Sequence, residues 1–159
     1  MSFTIRNAKK EDAPAIAELW WEMMEAHEPY KEKFYKPKPK KAFLKIVENR
    51  IKKDLKKRNK MLLVAEKREV IGFVIGELEK ELSERFKYDT RGAISELVVK
   101  KEHRGEGVGK ALLETIMTKL KKKGAKLAYL LVDRRNRHAI KLYEKMGFKN
   151  VLYDMVSDL

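Results

Sequence analysis

The sequence predicts one α/β (α+β) domain over residues 1–159, a mixed sheet with helices against it, in the order β-α-α-β-β-β-α-β-α-β. Three observations lead there. The chain has 159 residues, 43% of them apolar, and no Cys, which suits one core closed without disulfides. Short runs of β-branched and aliphatic residues alternate with stretches whose apolar residues recur every three or four positions. Strands follow one another directly in mid-chain but are separated by helices toward the end, so antiparallel and parallel pairings must coexist.

Phe3-Thr4-Ile5-Arg6 alternates and reads as a short edge strand. Pro14, Ile16, Leu19, Trp20, Met23 and Met24 form a helical stripe, with Asp12 ahead as a cap and Pro14 in the first turn. The helix runs from Asp12 to Ala26 and ends at His27-Glu28-Pro29, because the residue before Pro disfavours the α region. Lys36-Pro37-Lys38-Pro39-Lys40 is a stiff connector. A second helix from Lys41 to Lys57 carries Phe43, Leu44, Val47, Ile51 and Leu55 on one stripe, and Lys and Arg elsewhere.

Three strands follow, Met61–Ala65, Glu69–Leu82 and Ala93–Val99. Gly72 and Gly76 mark bulges in the second of them. A helix opens at about Gly107 with Leu112, Leu113, Ile116, Met117 and Leu120 on one face; Lys119 to Lys123 suit its C-terminal dipole, and Gly124 stops it. Leu127–Val132 is an apolar strand, Asn136–Met146 a helix closed by Gly147, and Phe148–Val156 a last strand or hairpin arm.

Composition narrows the chemistry. The longest apolar run is six residues, Leu127 to Val132, far short of the roughly 20 that span a bilayer. The first residues lack the apolar core of a secretory signal, so a cytoplasmic location is expected. Absence of Cys excludes a thiolate nucleophile and Cys-ligated metal, and no metal is expected. Abundant Lys and Glu with no Gln resembles the composition of a heat-adapted, thermostable protein. The formal net charge is +14, concentrated in residues 31–60 (net +11) and 100–126 (net +6). Such surfaces attract anions: nucleic acid, acidic proteins or a phosphorylated cofactor.

Arg104-Gly105-Glu106-Gly107-Val108-Gly109, between a strand and a helix, is the sharpest local signal. Glycines let the backbone approach a phosphate, and the unbonded N–H groups of the helix start point at it. Lys100, Lys101, Arg104 and Lys110 suit several phosphates. The Walker A pattern is absent, and the spacing is Gly-x-Gly-x-Gly rather than the dinucleotide fingerprint. By itself such a turn could equally be a plain strand–turn–helix connection.

Arg104 to Gly109, the preceding Leu97-Val98-Val99, and Asn136-x-x-Ala139-x-x-x-Tyr143-x-x-x-Gly147-Phe148 together resemble the GNAT superfamily of acetyl-CoA-dependent N-acetyltransferases. The two blocks look like its motifs A and B, and the element order matches over nearly the whole chain. The resemblance implies a central sheet with a splayed strand pair, helices on both faces, and transfer of an acetyl group from acetyl-CoA to a primary amine. It implies pantetheine along Leu97, Val98 and Val99, with Leu97 and Val99 supplying backbone bonds. It also implies pyrophosphate at Arg104, Gly105, Glu106, Gly107, Val108, Gly109 and Lys110, and contact between Asn136 and the pantetheine arm. Tyr143 looks like the acid that protonates the departing thiolate; on periodicity alone it is a packed helix aromatic. Glu96 is the nearest candidate base, but lies one residue out of the phase of Ala93 and Ser95 where the family places such groups; side chains alternate along a strand, so a bulge is needed to turn it back.

On the substrate side His27, Tyr30 and Glu79 are further candidates, with Trp20, Trp21, Phe34 and Tyr35 as a wall or as core. The acceptor is left open between a protein N-terminus, a lysine and a small-molecule amine, and the basic region could meet an acidic protein or peptide or be a solvated face. Family members are often dimers, which leaves a homodimer open. The alternatives are a basic nucleic-acid-binding module and a CoA-binding sensor without turnover. No recognition helix or RNA-binding aromatic signature is present, so a nucleic-acid partner is not expected, nor a membrane.

Overall fold

The computed structural model describes residues 3–27, 36–80, 89–152, 155 and 157. Among them are strands β1 (Thr4–Asn7), β2 (Lys60–Glu66), β3 (Val70–Lys80), β4 (Thr90–Val99) and β5 (Ala128–Leu130). The α-helices are α1 (Ala13–Ala26), α2 (Lys40–Asp54), α3 (Val108–Lys122) and α4 (Arg137–Lys145). The strands form one sheet in chain order, antiparallel from β1 to β4, with β5 parallel to β4. The mixed α/β architecture is the one expected.

The sheet buries both faces. One carries Leu62, Val64, Phe73, Ile75 and Val98 against Ile16, Leu19 and Trp20 of α1 and Val47 and Ile51 of α2. Trp20 meets the Phe73 ring at 5.8 Å and is core rather than pocket wall. The other face carries Leu63, Ile71, Val74 and Ile94 against Leu112, Leu113, Ile116 and Leu120 of α3. At Gly76 the helix lies so close that a Cβ would sit 2.7 Å from Cγ1 of Ile116. Register shifts fall beside both strand glycines, between Ala65 and Glu66 opposite Gly72, and between Ile75 and Gly76.

Three expectations change. Asp12 stands at the N-cap of α1 as expected, but its side chain caps no helical N–H: the carboxylate accepts two bonds from Arg6 (2.7 and 2.9 Å) and one from the Lys9 N–H. The Arg6 guanidinium holds the Asp12 carboxyl below its usual range and also grips Glu66, tying β1 to β2 and to the start of α1. β5 is three residues rather than six, because it pairs with β4 only from Gly92 to Ile94, and Leu131 beyond the pairing is 81% exposed. No strand forms over residues 148–152, where Val151 and Leu152 are exposed; the rest of the expected closing strand lies partly outside the described residues. Alternation alone does not hold a strand that has no neighbour to pair with.

Candidate active site

Strand β4 continues to Val99, but its last pair with β5 is Ile94 with Leu130, so among the described residues Ser95–Val99 have an open edge on that side. The N–H of Lys100 bonds the Ile71 carbonyl, toward β3. Backbone groups alternate along a strand, so those of Leu97 and Val99 point into the open edge, while those of Val98 face β3. Val98 is also buried and paired with Phe73, so its side chain belongs to the core. Nε of Arg104 donates to the Val99 carbonyl at 3.1 Å, so that acceptor is engaged from the glycine turn.

The turn itself is built as a cradle. Gly105 and Gly107 have φ of +83° and +84°, conformations that favour glycine. Nothing lies within 4 Å of where their Cβ atoms would be. Gly107 is the N-cap of α3 and supplies no side-chain cap, and the first helical bond runs from the Ala111 N–H to its carbonyl. The N–H groups of Val108, Gly109 and Lys110 precede that ladder and have no intrahelical acceptor. Open space and free donors at a helix start fit a pyrophosphate. The Glu106 carboxylate is turned to the His103 ring (3.2 Å) and to Lys67 (3.9 Å) beside the turn. Lys110 pairs with Glu114 at 3.7 Å.

Glu96 sits where the register shifts. Ile94 pairs with Gly76 and Glu96 with Ile75, leaving Ser95 as the extra residue of a bulge. Paired residues share a face, so Glu96 lies on the α1–α2 face with Ile75 and Val98, as does Ala93 before the bulge. The side chain is half-buried, and burial pushes its carboxyl up to about 7, with Arg50 of α2 pulling the other way. Arg50 lies over the Trp20 ring at 5.0 Å. Burial first, and then the charge of Glu96, push the Tyr143 phenol above its ordinary value. Tyr143 also meets Phe148 edge-on at 5.9 Å.

Asn136 caps α4, its Oδ1 accepting from the Ala139 N–H at 3.2 Å. Its Nδ2 is 3.5 Å from Nε2 of His27, so the end of α1 reaches the start of α4. Glu79 is committed elsewhere: it accepts from Nε of Arg91 (2.7 Å) and from the Tyr129 hydroxyl (2.9 Å). Arg91 also stacks over the Tyr129 ring at 4.0 Å. Both hydrogen bonds hold the Glu79 carboxylate against β4 and β5. Tyr30, Phe34 and Tyr35 lie outside the described residues. Sequence reasoning missed Arg91, Tyr129 and Arg50. Tyr129 was detectable as the one polar tip in an apolar strand; the other two carry no local signal. Among the described residues no group of three His, Cys, Asp or Glu side chains could hold a metal, and no helix is long and apolar enough to cross a membrane.

Comparison with known proteins agrees with this geometry. The family model described as the acetyltransferase (GNAT) family matches residues 16–148. An uncharacterised N-acetyltransferase of Methanocaldococcus jannaschii is 29% identical over 156 residues, covering 93% of this chain and 61% of that protein. An N-alpha-acetyltransferase of Sulfurisphaera tokodaii is 34% identical over 87 residues, covering 52% of each. The chain thus spans between about half and three-fifths of the length of these two relatives, and 26% of a Bacillus subtilis one. Among solved structures, an aminoglycoside N-acetyltransferase in complex with CoA has the same fold, with a TM-score of 0.75 at 16% identity over 99% of this chain and 94% of that one. The match spans the glycine turn and the open edge of β4, and the chain belongs to the GNAT acetyltransferase family.

Proposed function

We propose that this protein transfers the acetyl group of acetyl-CoA to a primary amine, with Glu96 as base and Tyr143 as acid. The observation that carries the reading is the Ser95 bulge, which turns Glu96 onto the face where an amine could approach the open edge of β4. Pyrophosphate would bond the N–H groups of Val108–Lys110, and pantetheine would bond the backbone of Leu97 and Val99, displacing the Arg104 contact. The amine nitrogen attacks the thioester carbonyl; a C–N bond forms, the C–S bond breaks, and CoA leaves as thiolate. Glu96 takes the proton that nitrogen loses, and the Tyr143 hydroxyl protonates the sulfur. A phenol pushed upward keeps its proton at neutral pH until the sulfur needs it. The polarising donor for the carbonyl is the N–H of Leu97 or a neighbour on that edge.

Glu96 also bears on the acceptor. With Glu96 reserved for the proton released on attack, an α-ammonium with a pKa of about 8 gives its first proton to solvent at pH 7 at a cost of about 1.4 kcal/mol, against about 4.6 kcal/mol for a lysine near 10.4. A peptide α-amine is therefore the favoured acceptor, in keeping with the N-alpha-acetyltransferase relative. The test is calorimetric titration with acetyl-CoA at low and high salt, then thiol release with peptides that offer only an α-amine or only a lysine. Saturable, salt-resistant binding and faster turnover on the α-amine peptide are expected. A folded protein that does not bind acetyl-CoA would overturn the reading.

A further inference from the structure

Two stretches of the chain hold cations and no carboxylates: residues 55–60 with four, and residues 119–126 with five. They are about 60 residues apart in sequence, but the fold joins them. Lys123 Nζ donates to the Arg58 carbonyl at 2.7 Å, bracing the end of α3 against the turn between α2 and β2. Between them runs a groove of about 450 Å³, its rim formed by Lys60, Lys119, Lys122 and Lys123 and its floor partly by Leu55 and Met61. Lys60 is held by Asp54 and Glu77. Among the described residues, Lys56, Lys119, Lys121, Lys122 and Lys126 have no carboxylate partner.

Neither known demand explains this edge. The glycine cradle lies at the other end of α3, fifteen residues or about 22 Å away, too far for the lysines to serve the phosphates there. The helix dipole calls for about half a charge at each C-terminus, and several unpaired lysines exceed it. We infer that the groove between the C-terminal ends of α2 and α3 is a docking surface for the phosphodiester backbone of a single-stranded nucleic acid. Eight of the nine cations in the two stretches are Lys, point charges on long stems that follow a phosphate chain; bidentate pairing with peptide carboxylates is the work of Arg. The apolar floor gives sugars and bases a surface to lie on. The acetyl-CoA cradle stays free, so docking and acetyl transfer can occur together.

The probe is a fluorescein-labelled 20-nucleotide polyuridine strand, titrated by anisotropy between 50 and 200 mM salt. With about five phosphate contacts the slope of log K against log salt is near −3.5, a loss of about 10²-fold over that range. Lys119→Glu with Lys122→Glu spares the Lys123 brace. It should weaken binding at least tenfold at 50 mM salt and flatten the slope by about 1.4, while acetyl-CoA affinity stays at the wild-type value and reports an intact fold. No binding at 50 mM salt would overturn the proposal, as would wild-type affinity in the double variant or tighter binding of polyglutamate than of polyuridine.

Discussion

Glu96 is placed against its own stability. Burial raises its carboxyl from 4.5 to about 7, so between those values the folded chain holds a proton that the unfolded chain releases. Stability from this group is present below about 4.5 and declines as pH rises to about 7. Glu96→Gln should therefore match the wild type in melting temperature at pH 4.5, exceed it at pH 8, and lose most of its turnover. Calorimetric melting at the two pH values checks the first part; equal melting at pH 8 would mean that the carboxylate is solvated. Tyr143→Phe keeps the ring that meets Phe148 and removes only the hydroxyl. It should lower kcat by about 10²-fold and leave CoA affinity intact, and unchanged turnover would remove Tyr143 from the acid role.

At the scale of elements, glycines set how closely layers and ligand approach. A Cβ at Gly76 would press on Ile116, so Gly76→Ala should cost about 1–3 kcal/mol of stability by overpacking, read as a lower urea midpoint. Gly107→Val meets no atom of the protein, but it strains a φ of +84° and fills the cradle. It should abolish measurable acetyl-CoA binding in a chain that still melts cooperatively; retained affinity would move the pyrophosphate elsewhere. Periodicity carried the helices and the mid-chain strands well, because their stripes are long and each has a partner to bury against. It could not locate the Ser95 bulge, since two adjacent polar residues, Ser95 and Glu96, do not show which of them is the extra one. Glu96 therefore read as out of phase. Nor could it show that β4 outruns β5, which leaves Leu131 exposed and the edge of β4 beyond Ile94 unpaired among the described residues.

For the whole molecule, net charge was legible at once and its arrangement was not. The sequence showed +11 and +6 in two segments; only the fold places the end of one beside the end of the other, away from the cradle. The same limit applies to Glu79. Its pairing with Arg91 and Tyr129 brings together three strands, and no local pattern distinguishes a committed carboxylate from a free one. The motifs did mark the glycine turn at the start of α3, because its glycines lie within five consecutive residues.

The most direct measurement of the central claim is the pH dependence of kcat/KM for CoA release, from acetyl-CoA and a peptide with a free α-amine, for the wild type and Glu96→Gln. The wild-type rate should rise through a midpoint near 7, and the variant should be slow and lack that limb. A variant with the wild-type rate and the same limb would show that another group takes the proton.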